Sequence, residues 1–371
     1  MDWTKESFGF SASLVLLIAL ASGHDPIWGK VIDVHPQVAD TQEVFEQRAN
    51  ALQPGDPLVL HGGTYSQNGR RAVSVQGTEA APILICAAPD SVPVLTRPAD
   101  NMDRHNNIEF VDCAHLIIRG LQFRGGSSGV RFIRGHHITF EDCTIHETGN
   151  NALTMNSGDC DAFVIRNNHI YHTGLSEAGP TEGEGMYIGC HSGSCRTTNT
   201  LIEGNHIHHL RSTSNGGNDG IEIKVGSYGN TIRNNTIHDT TIGKQYPGIF
   251  VYGGGPEVNV VEGNVIWNAG EGIQVVSDAL VRNNTIFNCT IAGITAAPHA
   301  AVAEMKNVTI ANNIIVGHPK GVVIRWSQAR DMTFRGNTVS CPDGIAIDAA
   351  GVTDAQLMDN YIEGTEVGFG N

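Results

Sequence analysis

Apolar and polar residues alternate along this chain in short runs, not in helical stripes, and the runs come in sets that repeat. In TIRNNTIHDT, Ile232 and Ile237 have polar neighbours, and in DGIEIKV Ile221 and Ile223 do. Period-two alternation predicts strands with those isoleucines on one buried face. The first phrase recurs as RNNHIYHT, EGNHIHHL, RNNTIHDT, EGNVIWNA, RNNTIFNC, ANNIIVGH, RGNTVSCP and MDNYIEGT. Its last Asn falls at Asn168, Asn205, Asn235, Asn264, Asn284, Asn313, Asn337 and Asn360, so successive differences are 37, 30, 29, 20, 29, 24 and 23 residues. Such a period predicts a solenoid, in which each repeat buries its apolar face only by stacking on its neighbours.

A second phrase, led by Gly, sits in each repeat: SGVRFIR, EGMYIGC, DGIEIKV, PGIFVYG, EGIQVVS, AGITAAP, KGVVIRW, DGIAIDA. Each coil therefore reads as three short strands: one led by Gly, one before the Asn and one after it. With no room for a crossover helix, the expected fold is all-β, a right-handed parallel β-helix of about ten coils. Asn at a fixed turn position would let side-chain amides stack coil upon coil. Thr41 to Leu52 (TQEVFEQRANAL) is amphipathic, with Thr41 placed as an N-cap, and is the expected N-terminal cap over the open first coil. The chain stops at EVGFGN as another Gly-led strand would begin, which leaves either a fragment or an end covered by a partner as the expectation.

Residues 10–21 (FSASLVLLIALA) are too short to span a bilayer and precede Ala21, Ser22 and Gly23. They predict a signal peptide over 1–23, a secreted or periplasmic protein, and one β-helix domain over 24–371. Lys+Arg 23 against Asp+Glu 38 gives a net charge of -15, which disfavours nucleic acid and anionic membranes and works against unassisted capture of a polyanion. Of the eight cysteines, Cys190 and Cys195 (CHSGSC) sit close enough in one loop to suggest a disulfide. The others lack zinc-site spacing. Oligomeric state is left open.

Loop insertions point to function in a repeat protein, because regular coils need only tight turns. GLSEAGPTEG precedes Met186, CHSGSCRTT follows its strand, RSTSNGG precedes Ile221, and TTIGKQY precedes Gly248. These insertions would wall one groove over three consecutive Gly-led strands. The second and fourth residues after each Gly point outward, which aligns Arg131, Thr154, Tyr187, Glu222, Phe250 and Gln274 in one column and places Lys224 and Tyr252 in the next. Glu184 and Asp219, each just before a Gly, sit on adjacent rungs and with Glu222 could hold Ca²⁺ through oxygen ligands. No organic cofactor is expected. Phe250, Tyr252, Gln274 and Arg131 are the expected sugar contacts. His172 and His209, at the start of the inserted loops, are expected to reach the groove as well.

From about Pro54 onward, PGDPLVLHGGTY, AAPILICA and the NNTI and DGIEIK phrases resemble the pectate-lyase-like superfamily of secreted right-handed β-helix proteins. The resemblance implies a polysaccharide-active protein whose groove is lined by the long-loop strands; members include lyases, polygalacturonase-type hydrolases, uronate epimerases and adhesins. The Asp-Pro-His motif of the epimerases is absent, as are the Asn-Thr-Asp and paired-Asp motifs of polygalacturonases. Glu222-Ile223-Lys224 is similar to part of the Glu-x-Glu and Lys pattern of alginate and chondroitin lyases.

Three functions stay open on the sequence. A polysaccharide lyase acting by β-elimination would use Lys224 as base, Tyr187 or Tyr252 as acid, and Asp219, Glu222 and Glu184 around Ca²⁺ to neutralise a uronate. A glycoside hydrolase would pair Glu184, Asp219 or Glu222. A non-catalytic glycan-binding or surface protein would use the same groove only to hold sugar.

Overall fold

A computed structural model of the chain describes residues 29–36, 41–66, 68–97, 104–326, 329–350 and 357–367. The segments read as a signal peptide and as the last Gly-led strand's start lie wholly or mostly outside these residues. What is described is a right-handed pattern of parallel strands wound as expected, with three strands per coil.

Strands preceding the Asn form one parallel sheet that runs from Ile32–Val34 through Val164–Arg166, Leu201–Glu203 and Thr231–Arg233 to Leu357–Met358. That path holds thirteen strands, so the stack is longer than the ten or so coils expected. The excess lies at the N-terminal end, where coils such as Pro57–Leu60 and Ile83–Ala87 lack the Asn phrase used for counting. Strands after the Asn form a second stack and the Gly-led strands a third; the two meet in Thr338–Ala350.

Inward isoleucines stack on one another. Ile207, Ile237, Ile266, Ile286 and Ile315 are register partners on successive coils, and all are fully buried, as are Ile221, Ile223 and Ile232. Burying each such side chain stabilises the fold by roughly 1.5–3 kcal/mol, an interaction available only when a neighbouring coil is present. The Gly that leads each strand is required by close approach. A Cβ on Gly220 would lie 2.4 Å from the Gly248 carbonyl oxygen of the next coil and 2.6 Å from Ile237.

The phrase's Asn residues form a continuous ladder. Asn205 Nδ2 donates to Asn235 Oδ1 at 2.9 Å and to the Ile165 carbonyl at 3.0 Å, and its backbone N–H donates to the same Asn235 oxygen at 2.9 Å. The pattern continues to Asn360. The residue before each ladder Asn is left-handed: Asn167 has φ 56°, Gly204 65°, Asn234 55° and Gly263 65°. Only Gly, Asn and Asp adopt that conformation readily, which is why the phrase reads NN, GN or DN.

On the outer face of the same sheet, register aligns Arg119, Glu141, Arg166, Glu203, Arg233, Glu262 and Arg282, charges of alternating sign on successive rungs. Buried Glu141 accepts from Arg166 Nε at 2.6 Å and also pairs with Arg119. At the N-terminal end, the helix Thr41–Asn50 covers the stack with Phe45 and Ala49 buried; Thr41's side chain lies outside the described ones. It also satisfies an open edge. Glu46 accepts the Ala72 N–H at 3.0 Å, and Asn50 bonds the Ala72 carbonyl at 2.9 Å and the Ser74 N–H at 2.7 Å. No helix among the described residues is long and apolar enough to cross a membrane.

Candidate active site

Parity along the Gly-led strands fixes which side chains face out. Leu153–Met155, Met186–Ile188, Ile221–Ile223, Ile249–Val251 and Glu271–Val275 pair in parallel so that Thr154, Tyr187, Glu222, Phe250 and Gln274 align. The next outward position brings Lys224 and Tyr252 beside them. Inserted loops close around this patch and form a cavity of about 490 Å³. Tyr187, Glu184, Asp219, Glu222, Lys224, Phe250, Tyr252 and Gln274, all expected here, line it.

Lys224 stands at the centre. Its ammonium pairs with the Glu222 carboxylate and lies over two aromatic faces, 4.2 Å from the Tyr187 ring centroid and 5.1 Å from that of Tyr252. Lys224 and Glu222 are 5% and 3% exposed, so this pair is largely withdrawn from water. Glu184, Asp219 and Glu222 each present a carboxylate oxygen within 4.8 Å of the other two, and all three residues are buried. Glu184 Oε2, Asp219 Oδ1 and Glu222 Oε2 find no hydrogen-bond partner among the described residues.

Crowding of this kind has a definite electrostatic result. Burial, and then the Glu222 charge, push the carboxyls of Glu184 and Asp219 well above the usual carboxylate range. Burial together with the Glu222 carboxylate likewise raises the phenols of Tyr187 and Tyr252, which stay protonated at neutral pH. The three acids fit a hard divalent cation. They offer oxygen donors that are buried, mutually close and short of partners.

Phe250 and Tyr252 stack at 4.1 Å and are packed with Val276 into a small apolar platform. Two histidines outside the repeat pattern complete the rim. His191, in the loop closed by the Cys190–Cys195 disulfide, meets Tyr252 edge-on at 5.9 Å, and His299 meets it at 4.8 Å. Burial, His191 and Lys224 all lower the pKa of His299. Glu182, Asn215 and Tyr246 also line the cavity, and Tyr246 OH donates to the Asn215 carbonyl at 2.7 Å. Sequence reasoning missed these five because loops carry no period. The length of the connection between Ala296 and Lys306 was the available signal for His299.

Three expected contacts are elsewhere. Arg131 shares the column with Tyr187, but Thr154 separates them and its guanidinium turns to Ser157. His172 and His209 do not line the cavity. Both adopt left-handed backbone, φ 53° and 55°, immediately after the outward position of their strands. The chain turns there before the inserted loop begins, so their rings, 5.6 Å apart, stay with the histidines of the second stack.

A family model described as a right handed beta helix region matches residues 106–279 and 212–339, together more than half of the chain. No curated protein matches the sequence. Among solved structures, the alginate lyase from Paenibacillus sp. str. FPU-7 is 21% identical with a TM-score of 0.63, covering 81% of this chain and 98% of that one. The mannuronan C-5 epimerase A-module of Azotobacter vinelandii is 14% identical (TM-score 0.59; 91% and 94% covered). A hyperthermoactive exopolygalacturonase from Thermotoga maritima is 12% identical (TM-score 0.58; 95% and 96% covered). A lyase, an epimerase and a hydrolase thus share this coil, and fold alone does not choose among their reactions. Three-strand coils, stacked isoleucines, the Asn ladder and the family match together make this chain a member of the right-handed β-helix family.

Proposed function

We propose that this chain is an exported polysaccharide lyase that cleaves a uronate-containing glycan by β-elimination. The observation that carries the reading is the placing of one buried ammonium, Lys224, among two phenols and three carboxyls at the base of a loop-walled cavity.

β-Elimination breaks the bond between C4 of a uronate and the glycosidic oxygen. A base removes the C5 proton, the electron pair forms the C4–C5 double bond, and an acid protonates the departing oxygen. Lys224, which lines the cavity, would act as the base in its neutral amine form. Tyr187 or Tyr252 is the acid, because both phenols hold their protons at neutral pH. Glu184, Asp219 and Glu222 would hold Ca²⁺, which when bound supplies positive charge to neutralise the substrate carboxylate. Phe250 and Tyr252 offer an apolar face for a pyranose ring.

Glycoside hydrolysis is the second reading, favoured by the raised pKa of Glu184 and Asp219 beside Glu222, which keeps a carboxyl proton to donate. Carboxyl oxygens within 4.8 Å are nearer the roughly 5–5.5 Å separation of retaining enzymes than the roughly 6.5–9.5 Å of inverting ones.

Digestion of alginate, pectin and glucuronan with the full-length protein decides the matter. The lyase reading expects ultraviolet absorbance from an unsaturated uronate, abolished in Lys224→Ala. New reducing ends without that absorbance would establish hydrolysis instead. Affinity without any cleavage, retained in Glu222→Gln and lost in Phe250→Ala, would establish a binding protein.

A further inference from the structure

On the second stack, away from the carboxylate cavity, imidazoles converge from three consecutive coils. Register pairs His169 with His206 on one line and Tyr171, His208 and His238 on the next. His169 Nε2 lies 2.8 Å from His208 Nε2, and His206 Nε2 lies 2.9 Å from His238 Nε2. His169, His206 and His208 each place a ring nitrogen within 4.8 Å of the other two. We propose that His169, His206, His208 and His238 form a site for a first-row divalent transition metal of the Zn²⁺, Ni²⁺ or Cu²⁺ class.

Donor chemistry separates this site from the carboxylate cavity. Imidazole nitrogens suit borderline transition metals, whereas Ca²⁺ takes oxygen ligands. Zinc–nitrogen bonds of about 2.0–2.1 Å set tetrahedral nitrogens roughly 3.3 Å apart, so each close nitrogen pair needs to open by only about half an ångström. Burial and the neighbouring rings lower the pKa of His206 and push that of His208 down to about 3, which leaves neutral rings with lone pairs to offer.

Outer partners already orient two of the rings. His238 Nδ1 donates to Asp239 Oδ2 at 2.7 Å, which leaves Nε2 as the lone-pair nitrogen, and Asp239 is itself held by Asn268 at 2.9 Å. Carboxylates hold metal-ligating histidines in the same way. His208 Nδ1 contacts His209 Nδ1 at 2.6 Å, so one of the two rings donates to the other. Trp267 stacks on His238 at 4.2 Å and Tyr171 on His208 at 5.4 Å, fixing both ring planes. Because the donors come from three coils, the ion would clamp those coils together. The strands that follow them are Met186–Ile188, Ile221–Ile223 and Ile249–Val251, which carry Tyr187, Glu222 and Phe250.

The test titrates the metal-stripped full-length chain with Co²⁺ in a buffer containing excess Ca²⁺. Saturable visible d–d absorption at one ion per chain, displaced by Zn²⁺, is the expected result. His206→Gln and His208→Gln should each weaken binding by about 10-fold or more, and Asp239→Asn by about 10–100-fold. His136→Gln, in the separate cluster with His115 and His137, should leave it unchanged. His206 is exposed, so His206→Gln retains the fold and decides the matter even if His208→Gln does not fold. Absence of saturable Co²⁺ and Zn²⁺ binding, or binding unaltered in His206→Gln, would overturn the proposal.

Discussion

Lys224 is surrounded by groups that act on its proton from three directions: Glu222 pairs with it, and Tyr187 and Tyr252 cover it. The two tyrosines are chemically alike, and their roles separate by substitution. Tyr187→Phe and Tyr252→Phe each keep the aromatic face toward the ammonium and remove only the hydroxyl. The tyrosine that protonates the leaving oxygen is expected to lose roughly 10²–10⁴-fold in kcat when changed to Phe, and the other to retain most of it, as read by steady-state kinetics. Sequence parity was enough to bring these residues together, because alternate residues of a strand share a face. It could not show that Lys224 and Glu222 would be almost wholly buried, since that depends on loops whose course no period dictates.

Among the elements, the Asn ladder has the most direct energetic consequence. Replacing Asn235 with Ala removes the acceptor of both the Asn205 amide and the Asn205 backbone N–H, and leaves the Ile202 carbonyl without its donor. Unsatisfied buried polar groups cost about 1–3 kcal/mol each. Asn235→Ala is therefore expected to lower unfolding free energy by roughly 3 kcal/mol in urea denaturation, while the exposed Asn215→Ala changes it little. The amide stacking was legible in the repeated phrase, and so were the three strands of each coil. So, from Arg166 onward, was the alternating Arg and Glu column: Arg166, Glu203, Arg233, Glu262 and Arg282 each open their phrase two residues before the ladder Asn. His172 and His209 were misplaced for another reason: they hold a left-handed turn position that recurs at Glu147, Asp239, Asn268 and Asn288, so they belong to the regular coil and not to the inserted loops.

For the whole molecule, the buried acids set a pH dependence. Glu184 and Asp219 have folded pKa values above their unfolded ones, so between those values the folded chain binds more protons than the unfolded chain. Stability contributed by these groups is full below the unfolded range near 4, and falls as pH rises through the folded values. His206 and His208 act in the opposite sense: their lowered values remove stability as pH falls below about 6.5. In chelator, the melting temperature is expected to decline on the alkaline side, and Asp219→Asn should flatten that decline when followed by circular dichroism. An equally steep decline in Asp219→Asn would show that the carboxyl cluster is not its source.

From the sequence alone came the coil, its three strands, the inward isoleucines, the outward Tyr187, Glu222, Lys224 and Phe250, and the position of the walled groove. All of these follow from periodicity, and a stacked fold repeats locally whatever lies far along the chain. The tertiary structure alone decided which loops close over the groove, adding His191, His299 and Tyr246. It also decided that three carboxyls crowd to within 4.8 Å and that His169, His206 and His208 meet on another face with His238 against His206. Those juxtapositions join residues from different coils whose lengths vary, so they depend on register between strands and are not written in any single repeat.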